Sequence, residues 1–150
     1  MKKELENAKS VGEVFAIVKR VAKQSIGLEQ AGLLVAVSDL GAYPGQFVGA
    51  FYDMAANTIV INKRPLQGMP TEMWNKYFFH VLLHEYLHSL GYLDEIVVRQ
   101  LVADLIRQHF GDEVPTTIEQ YMRYVIPGEP KNLKLDYISG IDRQNTNYIL

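Results

Sequence analysis

Residues 71–95 read TEMWNKYFFHVLLHEYLHSLGYLDE and decide the fold of the chain. Thr71 followed by Glu72 is typical of a helix start, and Gly91 is a residue that commonly ends a helix. We therefore predict a helix over about 72–90. Apolar residues at helical spacing form the face that packs on the core: Phe79, Leu83, Tyr86, Leu87 and Leu90.

Two histidines lie four residues apart on this predicted helix. Residues i and i+4 share a helix face, so His84 and His88 can reach one ion. Glu85 is turned by roughly 100° from His84 and stands beside the ion, where it can take a proton from a water made acidic by zinc. The pattern predicts one Zn²⁺ ion with Glu85 as the general base. A pattern this short also arises by chance, and the histidines are then part of an ordinary half-buried helix face.

A catalytic zinc site needs a third protein ligand in addition to the two histidines. Because the chain has no cysteine, this ligand must be His, Asp or Glu. Gly91 can end the helix with a sharp turn, and three residues later Asp94 can swing back to the metal. We therefore predict Asp94 as the third ligand. Alternatively, Asp94 binds no metal, and its carboxylate stabilises the N-terminus of the next helix through the helix dipole.

The run from His84 to Asp94 resembles the signature of the metzincin zinc peptidases, His-Glu-x-x-His-x-x-Gly-x-x-His/Asp, with Asp94 in the last position. Metzincins also have a methionine turn beneath the metal, for which the helix-like stretch around Met122 is the candidate. The chain is also similar to the small minigluzincins, in which the third ligand is a Glu on a following helix. That resemblance makes Glu95 the alternative third ligand, with Asp104 as a further candidate. Both resemblances imply a zincin fold and a zinc-dependent metallopeptidase.

The rest of the chain predicts an α+β, zincin-like fold, with a small antiparallel or mixed sheet packed on the active-site helix. Three strand-like runs precede that helix, and the second and third would pair as an antiparallel hairpin. These runs cover residues 33–37, 47–52 and 58–61. Apolar periodicity predicts further helices over about 3–24, 94–110 and 117–125.

The chain divides at a cluster of helix and strand breakers, residues 127–130. We predict a zincin-like catalytic domain over 1–126. Residues 127–150 are interpreted as a C-terminal tail that can pack back on the domain. A tail carboxylate that approached the zinc, from Asp136 or Asp142, would hold the enzyme latent.

Composition narrows the class of protein. The chain has 150 residues, 48% of them hydrophobic, which fits one globular domain with a single core. The net charge of -2, from 15 basic and 17 acidic residues, provides no broad basic field for nucleic acid. The charged N-terminus does not read as a secretory signal, and no apolar run is long enough to span a membrane. We expect a cytoplasmic protein without nucleic-acid or membrane partners, and the sequence leaves its oligomeric state open.

These features predict a zinc-dependent metallopeptidase that hydrolyses peptide or protein substrates. The substrate would pair by its main chain with an exposed edge strand, either 47–52 or 58–61. The alternative is a zincin-fold regulatory or interaction module that binds metal without turnover. Glu85 disfavours that alternative, because a purely structural site needs no base. His80, one turn before His84, either supports the metal ligands, lines the substrate cleft, or is a partly exposed histidine that binds no metal.

Overall fold

The computed structural model describes residues 1–139. Its helices are α1 (Lys2–Asn7), α2 (Val11–Ile26), α3 (Trp74–Ser89), α4 (Glu95–Phe110) and α5 (Glu119–Met122). Its strands are β1 (Leu34–Asp39), β2 (Ala50–Asp53), β3 (Thr58–Asn62) and β4 (Asn132–Ser139). Short 3-10 turns cover Arg64–Gly68, Thr71–Met73 and Gly111–Glu113. Among the described residues, no helix is long and apolar enough to cross a lipid bilayer.

The four strands form one mixed sheet in the order β2-β3-β1-β4. β1 and β3 are parallel, whereas β2 and β4 run antiparallel to their neighbours. The predicted α+β class is therefore confirmed, as is the antiparallel hairpin of the second and third strand-like runs. Its turn is closed by Asn57, whose φ of 48° lies in the left-handed region that Asn tolerates better than most residues. The hairpin leaves β2 as one edge of the sheet.

Helix α3 is the centre of the molecule. It contacts α2, α4, β2 and β3, and a helix surrounded in this way is apolar on most sides. The Tyr86 ring meets the Phe15 ring of α2 edge to face, with 5.5 Å between centroids. The predicted core face of α3 is buried at four positions and half-buried at Leu90: Phe79, Leu83, Tyr86, Leu87 and Leu90. The histidine pair therefore projects from a tightly held helix.

The prediction of a single helix over 3–24 is wrong, because the chain breaks between α1 and α2. Ser10 is the N-cap of α2, and its Oγ accepts a hydrogen bond from the Glu13 N–H at 3.1 Å. The Glu13 carboxylate in turn accepts from the Lys9 N–H at 2.8 Å. Serine followed three residues later by glutamate is the sequence pattern of such a cap. The continuous apolar periodicity of the region concealed it.

Replacing Ser10 with alanine should lower the free energy of unfolding by about 1 kcal/mol, because the Glu13 N–H loses its acceptor at a buried helix end. Urea unfolding followed by circular dichroism measures the change. Ser10→Thr keeps a hydroxyl at the same position and serves as the control. An alanine variant as stable as the wild type would contradict the cap.

The helix that follows α4 is shorter than predicted. The expected helix over 117–125 is only one turn, α5, while the expected helix over 94–110 is present as α4. Residues 132–139 of the predicted tail form β4 on the sheet edge opposite β2, so Asp136 pairs with Val37 there. Asp142 lies outside the described residues. The boundary between a catalytic domain and a tail stays a prediction.

A buried ion pair holds the segment that leads into β4. Arg64 is 1% exposed, and its Nε lies 2.9 Å from Oδ1 of Asp39. The same guanidinium donates to the Glu129 carbonyl. Ala42 and Gly128 exchange two backbone hydrogen bonds of 2.9 Å beside it. Because a buried charge is stable only when paired and hydrogen-bonded, these contacts tie residues 128–129 to the body of the fold.

Candidate metal centre

The two predicted histidine ligands converge on one carboxylate oxygen. The rings of His84 and His88 lie 5.0 Å apart between centroids on the surface of α3. Each Nε2 is 2.8 Å from the same atom, Oε1 of Glu95. Glu95 is the first residue of α4, so the connection from α3 returns the chain directly to the histidine face. The structure thus brings Glu95, one of the two candidates for the third ligand, to both rings.

Asp94, the other candidate, is engaged elsewhere. It is the N-cap of α4, and its Oδ1 accepts hydrogen bonds from the N–H groups of Ile96 at 2.9 Å and Val97 at 3.1 Å. A capping carboxylate is held by these donors and by the positive end of the helix dipole. Its contacts are therefore with the start of α4 rather than with the histidines. Asp104 lies further along α4 and is exposed, 3.5 Å from Arg107.

The turn between α3 and α4 also orients His88. Its Nδ1 is 2.7 Å from the carbonyl oxygen of Tyr92. A carbonyl only accepts hydrogen bonds, so Nδ1 must carry the proton, and Nε2 of the neutral ring presents a lone pair. That lone pair faces Oε1 of Glu95, which is also an acceptor. Two acceptors 2.8 Å apart require a proton or a cation between them.

The donor set therefore fits a divalent metal. Two imidazole nitrogens and one carboxylate oxygen are the ligands of a catalytic zinc site that keeps a fourth position open. The Tyr92 carbonyl supplies the outer hydrogen bond that commonly holds a ligating histidine in the correct tautomer. Zinc and several other divalent ions accept this combination of ligands.

The protonation states at the centre also suit a cation. Burial lowers the pKa of His84, and the hydrogen bond with Glu95 offsets this only in part, which favours the neutral ring. Burial acts to raise the pKa of Glu95, but its contacts with the His88 and His84 rings outweigh it and hold that pKa below its ordinary value. Metal binding requires a neutral imidazole and an ionised carboxylate. The pKa shifts of His84 and Glu95 both act in this direction.

Glu85 lies beside the proposed ligands in a different environment. One of its carboxylate oxygens is 3.8 Å from Nε2 of His84, and ligand-type atoms of Glu85 and the two histidines all lie within 4.8 Å of one another. Burial raises the pKa of Glu85 to about 7, although the neighbouring His88 ring and a hydrogen bond from the Tyr52 backbone act against it. A carboxyl with this pKa can accept and release a proton near neutral pH.

A cavity of about 390 Å³ opens beside His84 and Glu85. One wall is the chain that runs into the edge strand β2, and another is contributed by residues 116–119 and Met122. The Asn62 N–H donates to the Gly49 carbonyl at 2.8 Å. Hydrogen-bonded and non-hydrogen-bonded residue pairs alternate along two antiparallel strands. The N–H and C=O of the next residue, Ala50, therefore point away from β3. The sequence did not predict that this second segment lies beside the cavity, because no local pattern links it to α3.

Gly91 makes the turn between the two helices possible, with a φ of +109°. We expect Gly91→Ala to lower the free energy of unfolding by about 1 kcal/mol and to weaken zinc binding, because a side chain disfavours this backbone conformation and a shifted turn displaces the Tyr92 carbonyl and Glu95. Chelator competition measures the affinity. Gly27→Ala is the matched control, since Gly27 has a φ of +82° and an equally open environment. A similar loss of stability with unchanged zinc affinity is expected there, and equal affinities in both variants would contradict the role of the turn.

Comparison with protein-family models, with curated proteins and with solved structures finds no match for this chain. The case for function therefore rests on the geometry of the site. The described part of the chain carries a His84-Glu85-His88 triad on helix α3, a possible metal site.

Proposed function

We propose that the protein is a zinc-dependent metallopeptidase with one Zn²⁺ ion. In this proposal His84, His88 and Glu95 are the ligands and Glu85 is the general base. The observation that carries it is the approach of both Nε2 atoms to one oxygen of Glu95, at 2.8 Å each, with a separate buried carboxyl beside them. Glu95 is preferred to Asp94 because the carboxylate of Asp94 caps α4.

The chemistry divides between the ion and Glu85. A bound Zn²⁺ ion supplies Lewis acidity toward a carbonyl oxygen and makes a water more acidic. Glu85 takes the proton of the attacking water and returns it to the nitrogen of the leaving amine. Its burial supports this double role, because a pKa of about 7 leaves both the acid and the base forms populated near neutral pH.

A peptide is the substrate that best fits the surroundings of the site. The cavity is bordered by the edge strand β2, and the outward-facing N–H and C=O of Ala50 are free of β3. An extended peptide can add to such an edge through main-chain hydrogen bonds. The scissile bond would then lie beside Glu85.

A second function is supported by the apolar surface next to Glu95. Leu93, Ile96 and Val97 are exposed by 74%, 76% and 48% respectively. Exposed apolar side chains that lie close together in the chain are a feature of protein-interaction surfaces. The alternative is therefore a metal-binding regulatory or interaction module without turnover. The buried Glu85 and the open cavity favour the enzyme, because a structural zinc site closes its fourth position with protein.

Metal analysis combined with a peptide-library assay tests the proposal. We expect about one zinc per chain, cleavage of library peptides, loss of cleavage on chelation and recovery on addition of Zn²⁺. A protein that binds no divalent metal would refute the proposal as a whole. Zinc binding without cleavage of any peptide would support the interaction module instead.

A further inference from the structure

One basic side chain borders the cavity beside the metal centre. Arg99 is the only lysine or arginine among the described residues that line it. It follows Glu95 by four residues on α4, so the two side chains share a helix face. Its Nε lies 3.8 Å from Oε2 of Glu95, whereas Oε1 of the same carboxylate faces the histidines. The guanidinium therefore lies at the edge of the metal centre.

The charge of Arg99 acts on the walls of the cavity. Burial lowers the pKa of His84 and brings that of His80 to about 3, and the positive charge of Arg99 adds to both shifts. His84 and His80 both line the cavity, and His80 is only 5% exposed. The guanidinium is therefore close enough to attract an anionic group that enters the cavity.

Most of the hydrogen-bonding capacity of Arg99 is unused. A guanidinium has five N–H donors. Among the described residues, its one hydrogen bond runs from Nη1 to Oε1 of Glu119 at 3.3 Å, and the 3.8 Å from Nε to Glu95 is too long for another. Glu119 is 60% exposed, so it anchors the guanidinium without enclosing it. The Nε and Nη2 donors remain for a ligand.

A carboxylate is the group that matches these donors. Two parallel N–H groups of a guanidinium can bind both oxygens of one carboxylate, which makes the pair strong and specific in geometry. A peptide carries such a group at its own C-terminus. Successive residues of an extended chain are roughly 3.5 Å apart. Arg99 touches the surroundings of Glu95, so a carboxylate bound there is only a short stretch of chain away from a peptide bond beside Glu85.

We propose that Arg99 binds the C-terminal carboxylate of the substrate, so that the enzyme releases one or two residues from the end of a peptide. This inference rests on the proposed peptidase function and names the part of the peptide that the site takes. An acidic side chain after the cleaved bond has the same chemistry, but its rotatable bonds must be ordered first. The terminal carboxylate is positioned by the main chain that pairs with β2.

Three matched peptides test this specificity. They share one sequence and end in a free carboxylate, in an amide, or in an amide with aspartate next to the cleaved bond. We expect kcat/KM to be about ten- to a hundredfold higher for the free acid than for either amide, as for a hydrogen bond to a charged group. Mass spectrometry should show release of one or two C-terminal residues. Equal cleavage of acid and amide, or preference for the aspartyl amide, would overturn the proposal.

Arg99→Met should remove the preference for the free acid, mainly through KM, because methionine keeps an apolar stem without the donors. Arg107→Met is the matched control. Arg107 lies on the same helix, is also 56% exposed and contacts Asp104 at 3.5 Å, but it does not line the cavity. This control should retain the preference. A ratio of acid to amide cleavage that is unchanged in Arg99→Met would refute the role of Arg99.

A binding measurement separates this inference from the proposed function. NMR spectra of the protein with ¹⁵N-labelled arginine and added Zn²⁺ report on the Nε–H of Arg99, whose signal is identified by its absence in Arg99→Met. We expect N-acetylalanine to shift this signal and N-acetylalaninamide to leave it unchanged. A shift with the acid but no cleavage of any peptide would sustain the carboxylate site and refute the peptidase. Peptide cleavage without such a shift would refute the site and sustain the peptidase.

Discussion

Glu85→Gln is expected to lower kcat/KM for peptide cleavage by about 10³-fold and to leave the zinc content at the wild-type level. The amide has the shape of the carboxyl but cannot accept the proton of the attacking water, and general bases contribute factors of this size. Zinc should be retained because, in the proposal, Glu85 is the general base and not a ligand. Metal analysis and steady-state kinetics on the same preparation measure both effects.

The same variant should also change stability in the metal-free protein. Burial raises the pKa of Glu85 from its ordinary 4.5 to about 7 in the folded state. A carboxyl whose pKa is raised by folding stabilises the fold fully only below pH 4.5, and this contribution is lost as the pH rises through 7. At pH 8 the uncharged Gln variant should therefore be more stable than the wild type, by up to about 3 kcal/mol.

Glu72→Gln is the matched control, because it makes the same chemical change at an exposed position before α3. It should leave activity, zinc content and the pH dependence of stability unchanged. Loss of zinc in Glu85→Gln would identify Glu85 as a ligand and contradict its assignment as the base. Full activity in Glu85→Gln would equally exclude that assignment.

Glu95→Ala is expected to weaken zinc binding by more than about 100-fold. Loss of a group that merely supports a ligand already costs 10- to 100-fold, so removal of a direct ligand should cost more. The physical basis is the distance of 2.8 Å from its Oε1 to both imidazole nitrogens. Competition with a chromophoric chelator measures the affinity, and unfolding of the metal-free variant shows whether the fold is intact.

Asp94→Ala is the neighbouring variant that distinguishes the two candidate ligands. It should lower the free energy of unfolding by about 1 kcal/mol, because α4 loses its cap, and leave the zinc affinity near the wild-type value. Asp94→Asn retains a capping oxygen and should restore most of the stability. A large loss of zinc affinity in Asp94→Ala, with little change in Glu95→Ala, would establish Asp94 as the ligand that the sequence alone favoured.

Local features were within reach of the sequence. The spacing of His84 and His88 specifies a shared face as soon as the segment is helical, because residues four apart are neighbours in any α-helix. The hairpin of β2 and β3 follows from two strand-like runs joined by a short turn. The break at Ser10 was equally local, and its serine–glutamate pattern is readable in the sequence.

Which of Asp94 and Glu95 faces the histidines is decided by tertiary structure. The two carboxylates are adjacent in sequence, and only the path of the turn through Gly91 determines which one caps α4 and which one faces the histidines. The pairing of β1 with β3 and β4, and the contact of His80 with Tyr121, join segments far apart in the chain. Periodicity describes neighbours along the chain, whereas these contacts depend on how the whole core packs, so no local pattern contains them.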